Sequence, residues 1–260
     1  MTIAGFDPSG GAGVLADIKT ISAFGCHGVA AVTSLTFQNT QKVFGASHQT
    51  VETLRRQVEP LFNDFEIAAI KTGMLGTAEI ANEITNLIKL KDKPLVVDPV
   101  LRSTSGFDLT DRQAIEALKS RVIPLASVVT PNAEEAQRLT GVVIRDRSSM
   151  QRAAQAILEM GARAVLITSG DLDLDSSSDV LLDDEGAVTY DAVRIRSRHT
   201  HGTGCALASA LACLLARGLS LRESIPIAKE YVSQAIQSAP QLGHGHGPLN
   251  HFPPSYPRQS

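Results

Sequence analysis

The chain is predicted to fold as an α/β protein with a mostly parallel central sheet and helices on both faces. Short apolar runs alternate with segments whose apolar residues recur at helical spacing, and this alternation is typical of parallel sheets. Gly28 to Phe37 has the β-branched, apolar composition of a strand buried on both sides. Over 177–196 the residues instead alternate around the turn sequence Asp183 to Gly186, which predicts a small β-hairpin.

The individual elements are predicted from these patterns in chain order. Strands are predicted over 2–5, 28–37, 67–71, 94–97, 127–129 and 164–167. Helices are predicted over 14–21, 51–62, 77–88, 110–118, 133–139, 148–160, 206–218 and 222–238. Thr110 is the expected N-cap of the fourth helix, and Gly141 is expected to end the fifth.

Composition indicates an ordinary globular protein. With 260 residues, 43% of them hydrophobic, and no linker in the middle, one domain is predicted over 1–252, followed by a disordered Pro-rich tail over 253–260. The net charge of -3 provides no basic surface for nucleic acid or an acidic membrane. No membrane span or secretory leader is recognised. The three cysteines lack metal-type spacing, which favours a reducing cytoplasm.

A turn of sequence Gly202-Thr203-Gly204 precedes the helix predicted over 206–218. The first amides of a helix have no internal partner and glycines admit a ligand close to the backbone, so this turn is predicted to bind a phosphate or phosphoryl group. Cys205 lies at the positive end of the helix dipole, which favours a thiolate acting as base or nucleophile. A tight strand-to-helix turn with a small buried cysteine accounts for the same residues equally well.

Polar residues follow most of the predicted strands. Ligands bind outside the carboxyl ends of the strands in such sheets. Side chains from separate segments are therefore expected to meet at one edge: Asp7, Gln38, Lys71 to Met74, Asp98, Asn132 and Thr168. The spacing of Asn132 and Glu135 suits either a hydrated Mg²⁺ or a helix capping box. An anion site, an oxygen-ligand metal site and a candidate base together predict phosphoryl transfer.

These motifs resemble those of the ribokinase-like superfamily and, within it, the hydroxymethylpyrimidine/phosphomethylpyrimidine kinases of thiamine biosynthesis. The resemblance runs from Thr2 to Phe252. Its motifs follow in family order: Asp7-Pro-Ser-Gly-Gly-Ala-Gly13, Thr33-Ser-Leu-Thr-Phe-Gln-Asn-Thr40, Lys71-Thr-Gly-Met-Leu75, Val97-Asp-Pro-Val100, Thr130-Pro-Asn132, His201-Gly-Thr-Gly-Cys205 and Gly245-His-Gly-Pro-Leu-Asn-His-Phe252. Cys205 discriminates best, because most ribokinase-like enzymes have Asp there, whereas this branch and some pyridoxal kinases have Cys.

The resemblance implies a three-layer α/β/α sandwich that uses Mg²⁺ and ATP to phosphorylate 4-amino-5-hydroxymethyl-2-methylpyrimidine and then its monophosphate. A homodimer is also expected. The implied roles are pyrimidine binding for Gly11, Asp17, Gln38 and Met74, metal binding for Asp98 and Glu135, nucleotide and phosphate binding for Asn132, Thr168 and Lys229, and anion binding and base catalysis for Gly202, Thr203, Gly204 and Cys205.

Two departures from the family pattern remove positive charge near the expected triphosphate. Thr168-Ser-Gly-Asp171 stands where family members commonly have Lys-Gly-Gly-His, and Thr104 stands where they often have Lys. These changes weaken the inference about ATP affinity, and Arg102 or Lys229 is expected to compensate. Phe6 also replaces a usual Ser in the first loop.

Two alternatives stay open. A pyridoxal or pyridoxine kinase on the same scaffold would keep every phosphate-handling residue, so only the pocket separates the two substrates. Gln38 with Met74 favours the pyrimidine, because the amide pairs with ring acceptors and an exocyclic donor while the thioether packs against the ring. The second alternative, a non-catalytic pyrimidine- or nucleotide-binding sensor, is suggested by the lysine missing at Thr168. The presence of Cys205, Asp98 and Glu135 argues against it.

Overall fold

The computed structural model describes residues 1–89, 92–169 and 176–254, which contribute nine strands to one sheet. The strands are β1 (Thr2–Phe6), β2 (Ala30–Gln38), β3 (Val43–His48), β4 (Ile70–Thr72), β5 (Leu95–Val97), β6 (Val128–Val129), β7 (Val165–Ile167), β8 (Ser176–Asp183) and β9 (Gly186–Val193). Their order across the sheet is β3-β2-β1-β4-β5-β6-β7-β8-β9. The six strands from β2 to β7 in this order pair in parallel, whereas β3, β8 and β9 are antiparallel additions at the two edges.

Helices cover both faces of the sheet. They are α1 (Gly13–Ala23), α2 (Val51–Asp64), α3 (Ala78–Ile88), α4 (Arg112–Ala117), α5 (Ala133–Thr140), α6 (Arg147–Leu158), α7 (Thr203–Ala216) and α8 (Leu221–Gln237). Buried residues of α1, α7 and α8 cluster with Val96 of β5, while those of α2, α3, α5 and α6 cluster with Val97. Neighbouring residues of a strand point to opposite faces, so the predicted three-layer α/β/α arrangement is confirmed.

Helix α7 is the central helix of its layer and carries the predicted anion turn at its start. Its residues from Cys205 to Leu214 are all buried, as expected for a helix that is apolar on every side. The small side chains in this run, such as Ala208 and Ala210 at 0% exposure, let the helix lie close to the sheet. This close packing fixes the position of the turn relative to the ends of β4 and β5.

Several predicted boundaries are corrected by the structure. Helix α7 begins at Thr203 rather than at Ala206. The N-cap of α4 is Asp111, whose side chain accepts a hydrogen bond from the amide of Ala114 at 2.8 Å. Thr110 instead donates to the carbonyl of Val100 at 3.2 Å, so the prediction that it caps the helix is wrong. Strand β3 was not predicted. Its large apolar residues are limited to Val43 and Phe44, and its remaining residues are small or polar, so the sequence shows no strand pattern.

Other predictions agree with the structure or lie outside its range. Gly141 ends α5 with a φ of 77°, and β8 with β9 forms the predicted hairpin. Within the described ranges, no helix combines the length and apolarity that crossing a bilayer requires. Positions 170–171 of the strand exit and 255–260 of the predicted tail lie outside the described residues. The single domain and the disordered tail stay predictions.

Candidate active site

A cavity of about 830 Å³ opens at the carboxyl ends of the parallel strands. Residues that follow β1, β4, β5, β6 and β7 line it, together with the start of α7. The predicted site residues on its wall are Gln38, Met74, Asp98, Asn132, Glu135, Thr168, Gly202, Thr203, Gly204, Cys205 and Lys229. The fold therefore brings together eleven of the thirteen residues predicted from sequence, and only Gly11 and Asp17 do not line the cavity.

The anion turn has the geometry that the sequence predicts. Gly202 is the N-cap of α7 with a φ of 88°, a left-handed conformation that favours glycine. A β-carbon on Gly202 would lie 1.9 Å from the carbonyl oxygen of Gly11, so no larger residue fits here. No side chain caps this helix start, which leaves the positive end of α7 facing the cavity.

Cys205 is 8% exposed and lies directly behind the turn. Burial raises the pKa of its thiol, and the carboxylates of Asp98 and Asp17 raise it further, although Lys71 acts in the opposite direction. Burial and these two carboxylates therefore act against the thiolate that the helix dipole was expected to favour. Loss of hydration and two neighbouring carboxylates outweigh the dipole.

Two carboxylates form the acidic part of the site. Burial raises the pKa of Asp98, and burial followed by repulsion from Asp98 raises the pKa of Glu135 to about 8. Asp98 Oδ2 is buried without a hydrogen-bond partner, and a β-carbon on Gly204 would lie 3.6 Å from Asp98 Oδ1. Asp98 thus lies beside the anion turn, and its Oδ2 accepts no hydrogen bond, although Lys71 Nζ lies 3.5 Å away.

The capping-box interpretation of Asn132 and Glu135 is confirmed. The side chain of Asn132 accepts from the amide of Glu135 at 2.9 Å, and Glu135 Oε2 accepts from the amide of Asn132 at 2.9 Å. The capping box holds the Glu135 carboxylate at the cavity wall beside Asp98, so it does not exclude a second role for this group. Among the described residues, no cluster of three or more His, Cys, Asp or Glu side chains surrounds a common cation position.

Asp17 was predicted to bind the substrate, and the structure corrects this assignment. Asp17 is 0% exposed and accepts hydrogen bonds from Lys71 Nζ at 3.0 Å, Thr2 Oγ1 at 2.6 Å and Ser209 Oγ at 2.9 Å. All of its hydrogen bonds are to the protein interior, beneath the cavity wall. Its role is to balance the charge of Lys71, because a buried ammonium needs a carboxylate partner.

Lys71 was expected at the ligand-binding edge, but the sequence interpretation gave it no role. It is 0% exposed, and its Nζ lies 3.5 Å from Asp98 Oδ2. Burial alone would lower its pKa, but the charge of Asp17 holds the pKa well above its usual range. The ammonium therefore provides a fixed positive charge under Asp98 and Cys205. A lysine inside the apolar run of a predicted strand was the available signal.

The cavity wall also includes Gln38 and Met74, which lie at the ends of β2 and β4. Met74 is 6% exposed, and a β-carbon on Gly5 would lie 3.0 Å from its Sδ. The absence of a side chain at Gly5 thus makes room for the thioether. Gly11 is not part of the wall; its α-carbon faces the ring of His201.

The cationic side of the cavity is largely neutralised by carboxylates. Lys229 pairs with the buried Asp179, and Arg102 lies 3.0 Å from Glu134. Arg196 also lines the cavity. Lys229 lies near Thr168, because its partner Asp179 accepts a hydrogen bond from the amide of Ser169 at 3.0 Å. This lysine therefore supplies positive charge close to the position where the expected lysine is absent.

The sequence matches a known protein family: the family model for phosphomethylpyrimidine kinase covers residues 7–250. The chain belongs to the phosphomethylpyrimidine kinase family. It is 44% identical, over 96% of its length and 93% of the relative, to a hydroxymethylpyrimidine/phosphomethylpyrimidine kinase of Streptomyces coelicolor. The family and the enzyme class, a phosphotransferase, are as predicted.

Two further relatives extend the comparison. The thiamine biosynthesis bifunctional protein ThiED of Geobacter sulfurreducens is 44% identical over 97% of this chain, but the chain spans only 52% of that protein. The pyridoxal kinase of Staphylococcus aureus, solved with AMP-PCP and pyridoxal, superposes with a TM-score of 0.88 at 32% identity, covering 97% of this chain and 92% of that one. The ribokinase-like fold is therefore confirmed.

Proposed function

We propose that this protein uses ATP to phosphorylate 4-amino-5-hydroxymethyl-2-methylpyrimidine and then its monophosphate, in thiamine biosynthesis. The observation that carries the proposal is the meeting of the anion turn, Asp98 and Cys205 in one cavity whose wall also includes Gln38 and Met74. The first group suits a transferring phosphoryl group, and the second suits an aminopyrimidine.

The catalytic roles follow from the position of each group. Backbone amides at the start of α7, which no side chain caps, and the α7 dipole stabilise the charge of the transferring phosphoryl group. The acceptor hydroxyl loses its proton toward Cys205. Since burial raises the pKa of that thiol, its own proton must first move, and the neighbouring carboxylate of Asp98 is the proposed acceptor.

The residues present fit a magnesium ion. Asp98 Oδ2 is a buried carboxylate oxygen that accepts no hydrogen bond among the described residues, with the ammonium of Lys71 3.5 Å away, and Glu135 is held beside it. Mg²⁺ binds through one or two carboxylates and keeps most of its waters, so the pair is sufficient. The ion would neutralise charge on the nucleotide phosphates. Asn132, Thr168 and Lys229 are proposed to bind those phosphates.

The proposal is tested by comparing acceptors. The purified protein is incubated with Mg-ATP and, separately, the pyrimidine alcohol, its monophosphate and pyridoxal, and initial rates are measured by mass spectrometry of the products. We expect both pyrimidines to be phosphorylated faster than pyridoxal. Phosphorylation of pyridoxal alone would replace the proposal, and ATP binding without any phosphorylated product would indicate a sensor.

Pyridoxal phosphorylation is the second candidate function. It is favoured by the similarity to the Staphylococcus aureus pyridoxal kinase, whose TM-score is 0.88. The higher identity, 44% against 32%, to the pyrimidine kinase of Streptomyces coelicolor supports the first candidate.

We further propose a homodimer in the cytoplasm, as the resemblance and the cysteine content imply. Sedimentation velocity with the purified protein tests the first part, and fractionation of cells that produce it tests the second. A monomer at all concentrations, or recovery outside the cytoplasmic fraction, would contradict the corresponding part.

A further inference from the structure

His201 immediately precedes the anion turn and joins it to the first loop of the chain. Its Nε2 lies 2.8 Å from Asp7 Oδ2, and its Nδ1 lies 3.3 Å from Thr104 Oγ1. Its side chain is 11% exposed and that of Asp7 is 3% exposed. The imidazole is thus held at both nitrogens within the cavity wall.

The protonation of Asp7 determines the direction of the inner hydrogen bond. Burial alone would raise the pKa of Asp7, but hydrogen bonds from His201 and Ser9 lower it to about 2. An ionised carboxylate only accepts hydrogen bonds, so Nε2 of His201 carries the proton that it donates to Asp7. Asp7 also accepts from the amides of Ser9 at 2.8 Å and Ala12 at 2.9 Å, which fixes it within its own loop.

The ring of His201 also determines how closely the two loops approach. A β-carbon on Gly11 would lie 2.3 Å from Cδ2 of His201, and one on Gly202 would lie 1.9 Å from the carbonyl oxygen of Gly11. Two glycines therefore allow backbone-to-backbone contact between the first loop and the anion turn. The hydrogen bond between His201 and Asp7 holds this contact together.

We propose that His201 is a positioning residue that, through Asp7, fixes the amides of the anion turn relative to the bound acceptor. The inference rests on the proposed function of the anion turn. His201 provides alignment, whereas the residues proposed to bind the pyrimidine are Gln38 and Met74. Losing it should impair phosphoryl transfer and phosphate binding and leave pyrimidine binding unchanged.

The test compares His201→Gln with His199→Gln. His199 is a matched control because it lies two residues away in the same segment, is 7% exposed, and is not part of the cavity wall. For His201→Gln we expect kcat to fall roughly 100-fold, since misplacement by about 1 Å has this effect, while the KM for the pyrimidine stays within about twofold. For His199→Gln we expect kcat close to that of the unmodified protein.

Two calorimetric titrations make the result independent of turnover. ADP should bind His201→Gln at least about tenfold more weakly than it binds the unmodified protein, because the turn amides are displaced, and the pyrimidine should bind both equally. Equal effects of the His201 and His199 substitutions, or unchanged ADP affinity in His201→Gln, would overturn the proposal. If His201→Gln does not fold, Asp7→Asn, which keeps the side-chain volume, is measured in the same way.

Failure of the proposed function gives a different pattern. If the protein prefers pyridoxal, the same kcat comparison is made with pyridoxal, and the ADP titration is unchanged. Equal effects of the two histidine substitutions, or unchanged ADP affinity in His201→Gln, contradict the positioning role whichever acceptor the protein prefers.

Discussion

Replacement of His251 should make the stability of the protein less sensitive to acid. His251 is 3% exposed; its Nδ1 lies 3.1 Å from Thr20 Oγ1, and its Nε2 is buried without a partner. Burial, with a further contribution from the charge of Lys19, lowers its pKa from 6.5 to about 4. A protonated ring would carry an unpaired buried N–H, so the native protein keeps it neutral.

The direction and the magnitude of this pH effect on stability follow from the difference in the His251 pKa between the unfolded and the native protein. Between pH 6.5 and about 4 the unfolded chain binds a proton at His251 that the native protein does not, so stability falls as the pH falls through this interval. Each pH unit corresponds to about 1.4 kcal/mol. The contribution is therefore about 2 kcal/mol between pH 6.5 and about pH 5, and about 3 kcal/mol at about pH 4.

The assay is urea unfolding of the unmodified protein and of His251→Asn at about pH 7 and about pH 5. The asparagine amide takes the position of Nδ1 and does not titrate. The variant should be less stable at neutral pH because of lost packing, and the free-energy gap between the two proteins should shrink by about 2 kcal/mol at the lower pH. His244→Asn, a change at an exposed position of the same segment, should not alter the pH dependence. A constant gap between His251→Asn and the unmodified protein would refute the reasoning.

Four further predictions concern the cavity. Gln38→Ala should raise the KM for the pyrimidine several-fold or more with a normal circular dichroism spectrum, because a polar ring group loses its partner; an unchanged KM would remove Gln38 from the site. Asp98→Asn should reduce turnover and shift the Mg²⁺ optimum upward, since an oxygen charge is lost near the cation; activity assayed across a magnesium series decides this. Cys205→Ala should reduce activity toward the alcohol roughly 10²–10⁴-fold and activity toward the monophosphate far less, because the phosphate oxygen is already anionic. Since burial raises the pKa of the thiol, protonation of a thiolate should not reduce activity at low pH. Equal losses of activity in both reactions would exclude a base role for Cys205. Arg196→Gln should raise the KM for ATP, whereas Arg198→Gln, a change outside the cavity wall, should not; equal KM values would show that Arg196 does not compensate for the missing lysine.

Most of the predicted site residues line one cavity because the topology places strand ends together. Asp98 and Asn132 each follow a short buried strand, and strands that pair in parallel end at the same edge of the sheet. The order of these residues in the chain was enough to predict that they meet. The same reasoning did not separate the cavity wall from the layer beneath it. Asp17 and Lys71 lie close to the wall residues, yet both are fully buried.

Cys205 and Glu135 mark the limit of local reasoning about charge. The helix-start position of Cys205 suggested a lowered pKa, and the sequence does not reveal that Asp98 lies against it. For Glu135, the capping box and the metal site were alternatives in sequence, but the structure forms the capping box and still leaves the carboxylate beside Asp98. Electrostatic effects depend on distances between residues that are remote in the chain.

The sequence by itself determined the fold class, the anion turn and the family, because each depends on local patterns: apolar periodicity, glycines at a helix start, and ordered motifs. Only the tertiary structure decided which groups share the cavity wall, which charges are paired, and which loops contact each other. Asp7 and His201 are 194 positions apart in the chain and 2.8 Å apart in space. Hydrogen bonds of this kind, and the loss of hydration on burial, arise only when the chain has folded, so no local pattern encodes them.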